Sequence, residues 1–209
     1  DWSSDVCSSD LYNGEIEDSW SKYLPDNFYD VEGNYGEINA LIALRNQIYY
    51  IQERGIGLLL INPTSLIDAG TSGTGTAIKL GQGKTIERHD YMAIDVGTKH
   101  QWSVYSSQNS ISFIDVRQKK IFIFDGKSLE PISDTKGQRN FINKRLHNII
   151  ITNDNPVISK GLLTTYDYQN NEYLYTFKND NGSETNDENL TIAFSEEIGR
   201  ASCRERVFA

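Results

Sequence analysis

Cysteine, methionine, histidine and proline are all scarce in this chain. Of its 209 residues two are Cys, one is Met, three are His and four are Pro. Two cysteines allow at most one disulfide. Three histidines, none spaced i, i+4 from another, do not make a zinc helix. No apolar run approaches the ~20 residues that a membrane-spanning helix needs. Positive charge is also short: 20 Lys+Arg stand against 29 Asp+Glu, a formal net charge of −9. That balance argues against a broad nucleic-acid-binding surface, though not against a local basic patch. What the chain does have is 11% aromatic and 23% charged residues, including 12 Tyr. Such a composition excludes wholesale disorder and, at this length, allows one or two domains with a sizeable core.

The two ends differ from the rest. Residues 1–11 (DWSSDVCSSDL) and 197–207 (EIGRASCRERV) resemble translations of the two different adapters used at opposite ends of a sequencing library. The first lacks the cationic start and apolar stretch of a signal peptide. Residues 1–11 and 197–209 are therefore expected to be adapter-derived and not native, leaving a native insert of 12–196, which is 185 residues. Removing three aspartates at one end and a net single positive charge at the other changes the formal charge from −9 to −7. Both cysteines, Cys7 and Cys203, fall outside the insert. Its single methionine is Met92, so the insert is expected to be an internal fragment of a longer protein, of metagenomic origin.

Within the insert the strongest signals are short apolar or β-branched runs with turn-rich flanks, which mark hairpins. Residues 48–51 and 57–61 form one pair, 111–115 and 121–124 a second, and 173–177 and 190–194 a third. Each pair follows another strand candidate: 38–44, 102–106 and 162–168. Ile48, Ile111 and Tyr173 mark equivalent points, offset by 63 and then 62 residues. A fourth strand is expected at 128–133 in the middle unit. A repeated four-strand antiparallel unit is the grammar of a β-propeller blade. Two insertions lengthen the period, a Gly-rich stretch at 69–84 and a short helix around 139–150, with Ile142, Leu146 and Ile149 on one face. In 121–124, Ile121 and Ile123 share one face and Phe122 and Phe124 the other. An antiparallel strand apolar on both faces is expected between stacked sheets. The expected fold is all-β, with about three incomplete propeller-like blades; a β-sandwich is the alternative.

Candidate chemistry is thin. The sequence GTGTAIKLGQGKT at 73–85 ends like a phosphate-binding loop, but Ile78 stands where that loop needs Gly, and 85–94 does not read as a helix. His89 beside Asp90 could be half of an acid–base pair but reads better as a surface or turn histidine, and His100, at a strand start, reads as structural; His147 pairs with neither at helical spacing. No Gly-x-Ser-x-Gly elbow occurs. Asp95, Asp115 and Asp125 recur near strand ends; paired carboxylates ~5–10 Å apart cleave glycosides, yet Asp beside turns is ordinarily structural. The run 178–189 (KNDNGSETNDEN) misses the calcium-loop pattern, because Phe177 stands where Asp is required. Lys136, Arg139, Lys144 and Arg145 form a basic cluster that reads as a solvated helix face. No catalytic, cofactor-binding or metal residue is expected.

The stretch HQWSV at 100–104, followed by SISFID at 110–115, KIFIFDG at 120–126 and SLEPISDTKG at 128–137, resembles a structural protein of crAss-like bacteriophages. TYDYQNNEYLYTF at 165–177 and NLTIAFS at 189–195 look like its next blade, and the likeness extends over roughly 37–196. The resemblance implies a virion tail or head–tail stabilisation protein, without catalysis or cofactors. Its implied partners are other tail and portal proteins and copies of itself, with no membrane, specific nucleic acid or small-molecule substrate. Its implied location is the virion, assembled in the cytoplasm of an infected bacterium. It also implies that the adapter begins where the outer strand of the last blade should follow Phe194. The alternatives are a propeller-type carbohydrate-binding or glycoside-cleaving domain and a cellular propeller scaffold.

Overall fold

The computed structural model describes residues 28–61, 86–135, 137–146, 161–178 and 190–195, together with the short strands 5–7, 65–68, 77–80 and 204–206. Strand β1 (Asp5–Cys7) pairs antiparallel with β2 (Phe28–Asp30). A first four-stranded sheet follows from β3 (Ile38–Leu44), β4 (Gln47–Gln52) and β5 (Gly55–Ile61). A separate hairpin of β6 (Ser65–Asp68) and β7 (Ala77–Leu80) intervenes before its fourth strand, β8 (Ile86–Ile94). The middle sheet contains β9 (Tyr105–Ser106), β10 (Ile111–Asp115), β11 (Lys120–Phe124) and β12 (Leu129–Pro131). Helices α1 (Ile132–Thr135) and α2 (Arg139–Leu146) come next. The last sheet contains β13 (Gly161–Asp167), β14 (Glu172–Lys178), β15 (Leu190–Ser195) and β16 (Arg204–Arg206). In each sheet the strands pair antiparallel with their successors.

Local sequence explains the tight connections. Arg45 and Asn46 both adopt positive φ, 49° and 63°. This two-residue turn has the twist that antiparallel strands require, and Asn tolerates it well. Lys119 and Asn171 take the same left-handed conformation at the ends of the β10–β11 and β13–β14 turns, with φ of 56° and 53°.

The three sheets lie face to face. Leu44, Tyr49, Ile51 and Ile56 of the first sheet form one buried cluster with Ile111, Phe113, Phe122 and Phe124 of the middle sheet. Ile114 and Ile121, on the opposite face of the middle sheet, form another with Leu162, Tyr166, Tyr173, Tyr175, Phe177, Leu190, Ile192 and Phe194 of the last. The all-apolar character of β11 follows: Phe122 and Phe124 face the first sheet, while Ile121 and half-buried Ile123 face the last. Burying each such side chain contributes about 1.5–3 kcal/mol. Ile142 and Leu146 of α2 join the second cluster.

The all-β expectation holds, and the sheets do not close into a ring. The 102–106 segment departs from its expected strand. A single 3-10 turn, Gln101–Ser103, precedes the two-residue β9. Local side chains take the backbone bonds there: the Ser103 hydroxyl donates to the His100 carbonyl (2.7 Å), and the His100 N–H donates to the Thr98 hydroxyl (3.1 Å). Such bonds compete with a strand ladder. The strand expected at 128–133 is cut short at Pro131, whose missing N–H suits an edge. The helix expected to reach 150 is described to Leu146. The Gly-rich stretch expected as a loop includes strand β7. The last sheet, expected to lack its outer strand, has β16 in that position, because β15 offers it an unpaired ladder edge.

Candidate interaction surfaces

The described residues are dominated by seams between sheets. At the first seam Arg45 projects from its hairpin turn and donates to the carbonyls of Asp125 (3.3 Å) and Asn109 (3.1 Å). Tyr49 meets Phe124 edge-on, with ring centroids 5.3 Å apart. The Thr98 hydroxyl donates to the Ile114 carbonyl at 2.8 Å.

At the second seam two tyrosines carry their hydroxyls into the middle sheet. Tyr173 Oη donates to the Ser110 carbonyl (2.8 Å), accepts from the Ser107 N–H (3.2 Å) and lies 2.9 Å from the Ser110 hydroxyl. The Tyr175 hydroxyl bonds that of Ser112. Both phenols are fully buried, where an unpaired hydroxyl would be costly. A run of Ser and Tyr in strands does not by itself reveal this seam. The signal that could have found it is spacing: Ser110 to Tyr173 and Ser112 to Tyr175 are each 63 residues.

Two faces lie outside the seams. The outer face of the first sheet carries an aromatic cluster of Tyr29, Tyr50, His89 and Tyr91, with ring centroids 5.3–6.1 Å apart. Tyr50 lies across Gly57, where a Cβ would collide with its ring. Burial pushes the Tyr50 phenol strongly upward, and Tyr91 upward as well. Val31 from the preceding segment helps to close this face, but Leu41 on it is 52% exposed. The outer face of the last sheet presents Leu163, Thr165, Leu174, Thr176 and Thr191, all half-buried.

The candidate chemical residues take structural places. His89 and Asp90 point to opposite faces of β8; His89 Nδ1 lies 3.0 Å from the Tyr29 hydroxyl, and Asp90 pairs with Arg88 at 3.3 Å. His100 is buried, and His147 lies outside the described residues. Asp115 is buried; its carboxylate accepts from the backbone N–H of Gln118 (2.9 Å) and Gly97 (3.5 Å), and Arg117 lies 4.0 Å away. Burial raises its carboxyl, against the lowering effect of those N–H groups and Arg117. Asp125 caps a turn, accepting from the N–H groups of Ser128 (2.6 Å) and Lys127 (2.8 Å), which hold its carboxyl below the usual range. Asp95 has a positive φ of 63°, and its carbonyl accepts from Arg117 and from Gln118 Nε2 (2.6 Å).

Asp115 and Asp125 stand at opposite ends of the β10–β11 hairpin. Asp115 pairs with Lys120, and Asp125 lies five residues further along, so at ~3.4 Å each the two stand about 17 Å apart, outside glycosidase range. Ile78 sits in β7, and strand β8 begins at Ile86, where a phosphate loop would need a helix. The 178–189 run lies outside the described residues apart from the backbone of Lys178, the end of β14. Of the basic cluster, Arg139 is 3.8 Å from Asp134, which Lys120 also holds at 2.8 Å, and Lys144 is exposed. Lys136 and the Arg145 side chain lie outside the described set. No group of three or more metal-ligating side chains occurs among the described residues, and no helix there is long and apolar enough to cross a membrane.

Comparison with known proteins points in one direction. Residues 5–202 match the family described as the Crassvirus muzzle protein. The chain is 30% identical over 165 residues to the Muzzle protein of Bacteroides phage crAss001. That alignment covers 79% of this chain but 12% of the phage protein, so the chain spans a small part of its relative's length.

Proposed function

The chain belongs to the Crassvirus muzzle protein family, and on that premise we propose that it is part of a structural component of the phage virion, acting as an assembly scaffold without catalysis. The family match carries this reading. The geometry supports it: the middle sheet is buried on both faces, and its polar groups are spent on fixing neighbouring sheets. Buried Asp115 and turn-capping Asp125 hold the backbone, which is the use of a carboxylate in a scaffold.

In finer terms, the four-stranded sheets act as propeller-like blades, and the whole protein serves in the tail or in head–tail stabilisation. Its partners are other tail and portal proteins and copies of itself. It assembles in the cytoplasm of the infected bacterium. The native portion is 12–196, and the segment 197–209, which includes β16, is adapter-derived.

Mass spectrometry of purified virions tests the reading. Peptides from 37–61 and 161–178 should appear in proportion to known structural proteins. Their presence in infected-cell lysate and absence from virions would overturn it. So would a genomic position away from phage portal and tail genes.

A further inference from the structure

The two seams share a direction. Ile111 and Phe113 of β10 cover the face of the first sheet that carries Tyr49 and Ile51. Tyr173 and Tyr175 of β14 cover the face of the middle sheet that carries Ser112 and Ile114. In both cases the later sheet lays large apolar or aromatic side chains onto the same face of the earlier one. The offsets of 63 and 62 residues align Tyr49 with Ser112 and Leu174, and Ile51 with Ile114 and Thr176. The first two members of each set are buried in a seam. The third members, Leu174 and Thr176, are half-buried on the outer face of the last sheet.

The middle of that outer face has the chemistry of a seam more than of a wet surface. In its middle, β13, β14 and β15 present Leu163, Thr165, Leu174, Thr176, Thr191 and Ala193; Asp167 and Glu172 stand on the same face at one end, and edge strand β16 sets Arg204 and Arg206 opposite Ala193 and Thr191. Its hydroxyls can satisfy one another, as Thr176 and Thr191 do at 2.9 Å. A solvated face of an antiparallel sheet normally alternates with charged or strongly polar side chains.

We propose that this face is covered by a further four-stranded antiparallel sheet of the same polypeptide, continuing the stack in the direction of the two existing seams. The inference rests on the reading of the chain as part of a longer protein, and the relative, about eight times the aligned length, has polypeptide to supply it. The incoming sheet presents large apolar and aromatic residues, as Phe113 and Tyr175 do at the existing seams.

Thiol accessibility tests it. Thr176→Cys and, separately, Leu163→Cys are placed in the complete polypeptide, with Lys127→Cys on an exposed turn as reference. Maleimide labelling is followed on each introduced cysteine's own peptide by mass spectrometry. In the monomeric complete polypeptide, Thr176→Cys and Leu163→Cys should label about tenfold or more slowly than in the isolated 209-residue chain, while Lys127→Cys labels alike in both. Equal rates in the two forms would overturn the proposal. Protection gained only on assembly would also overturn it, by assigning the face to a second copy or another virion protein. Protection already present in the isolated chain would overturn it too. A polypeptide missing from virions would defeat the scaffold reading and leave this labelling pattern untouched.

Discussion

Tyr173→Phe removes one oxygen from the seam between the middle and last sheets and leaves the ring in place. That oxygen is fully buried, donates to the Ser110 carbonyl at 2.8 Å, and lies 2.9 Å from the Ser110 hydroxyl and 3.2 Å from the Ser107 nitrogen. The Ser110 carbonyl keeps other donors, the Ser107 N–H at 2.8 Å and the Ser107 hydroxyl at 3.3 Å. The loss is thus not a fully orphaned carbonyl. It is the net value of the lost bonds plus poorer satisfaction of a buried serine pair, about 1.5–3 kcal/mol. The cavity contribution is small because one hydroxyl leaves. For a chain of this size, 2 kcal/mol lowers Tm by roughly 4–8 °C. Calorimetry and urea titration of the parent, Tyr173→Phe, Ser110→Ala and the double variant measure both the loss and its coupling. The two single losses should not add, because they remove the same contact. A Tyr173→Phe variant within about 0.5 kcal/mol of the parent, or strictly additive losses, would refute a hydrogen-bonded seam. Lys127→Ala, on an exposed turn, serves as the unaffected reference.

Three further outcomes follow from the same packing. A Cβ on Gly97 would sit 2.7 Å from the Glu53 carbonyl carbon and 2.8 Å from its oxygen, so Gly97→Ala should destabilise by about 3 kcal/mol or more; a Tm within 2 °C of the parent would contradict this backbone contact. Burial raises the Asp115 carboxyl above its ordinary value of about 3.9. The fold therefore favours its protonated form, and that stability is present at low pH and lost as pH rises through the raised value. Asp115→Asn should gain stability relative to the parent as pH rises from about 4 to 7, and a difference that stays constant in urea titrations across this range would contradict the assignment. Residues 12–196 alone leave an unpaired sheet edge at β15 and should aggregate or unfold broadly; cooperative unfolding of a monomer, checked by light scattering and calorimetry, would contradict that.

Strand identity was legible where the local pattern was strong. IFIF at 121–124, apolar on both alternating faces, announced a strand buried on both faces, and β11 is so buried. The 63- and 62-residue offsets located the second strand of each sheet. Residues 102–106 were misread because Trp, Val and Tyr favour strands, while the hydroxyls of Thr98 and Ser103 bind the backbone in a turn. The carboxylates illustrate a different limit. Asp115 and Asp125 look alike beside turns, yet one is buried with its carboxyl raised and the other is exposed with its carboxyl lowered. Sequence carries no record of what packs over a turn.

The amino-acid sequence by itself determined an acidic all-β chain with a repeated hairpin unit, because alternation, β-branching and turn residues act over a few neighbours. It also carried, in segments such as SISFID and KIFIFDG, the likeness to structural proteins of crAss-like phages. Only the tertiary structure decided which face met which neighbour. The meeting of Tyr173 with Ser110 and of Arg45 with Asp125 joins residues 63 and 80 positions apart. Contacts at that separation depend on how whole sheets stack, and stacking is set by the sum of many weak burials that no short window of sequence contains.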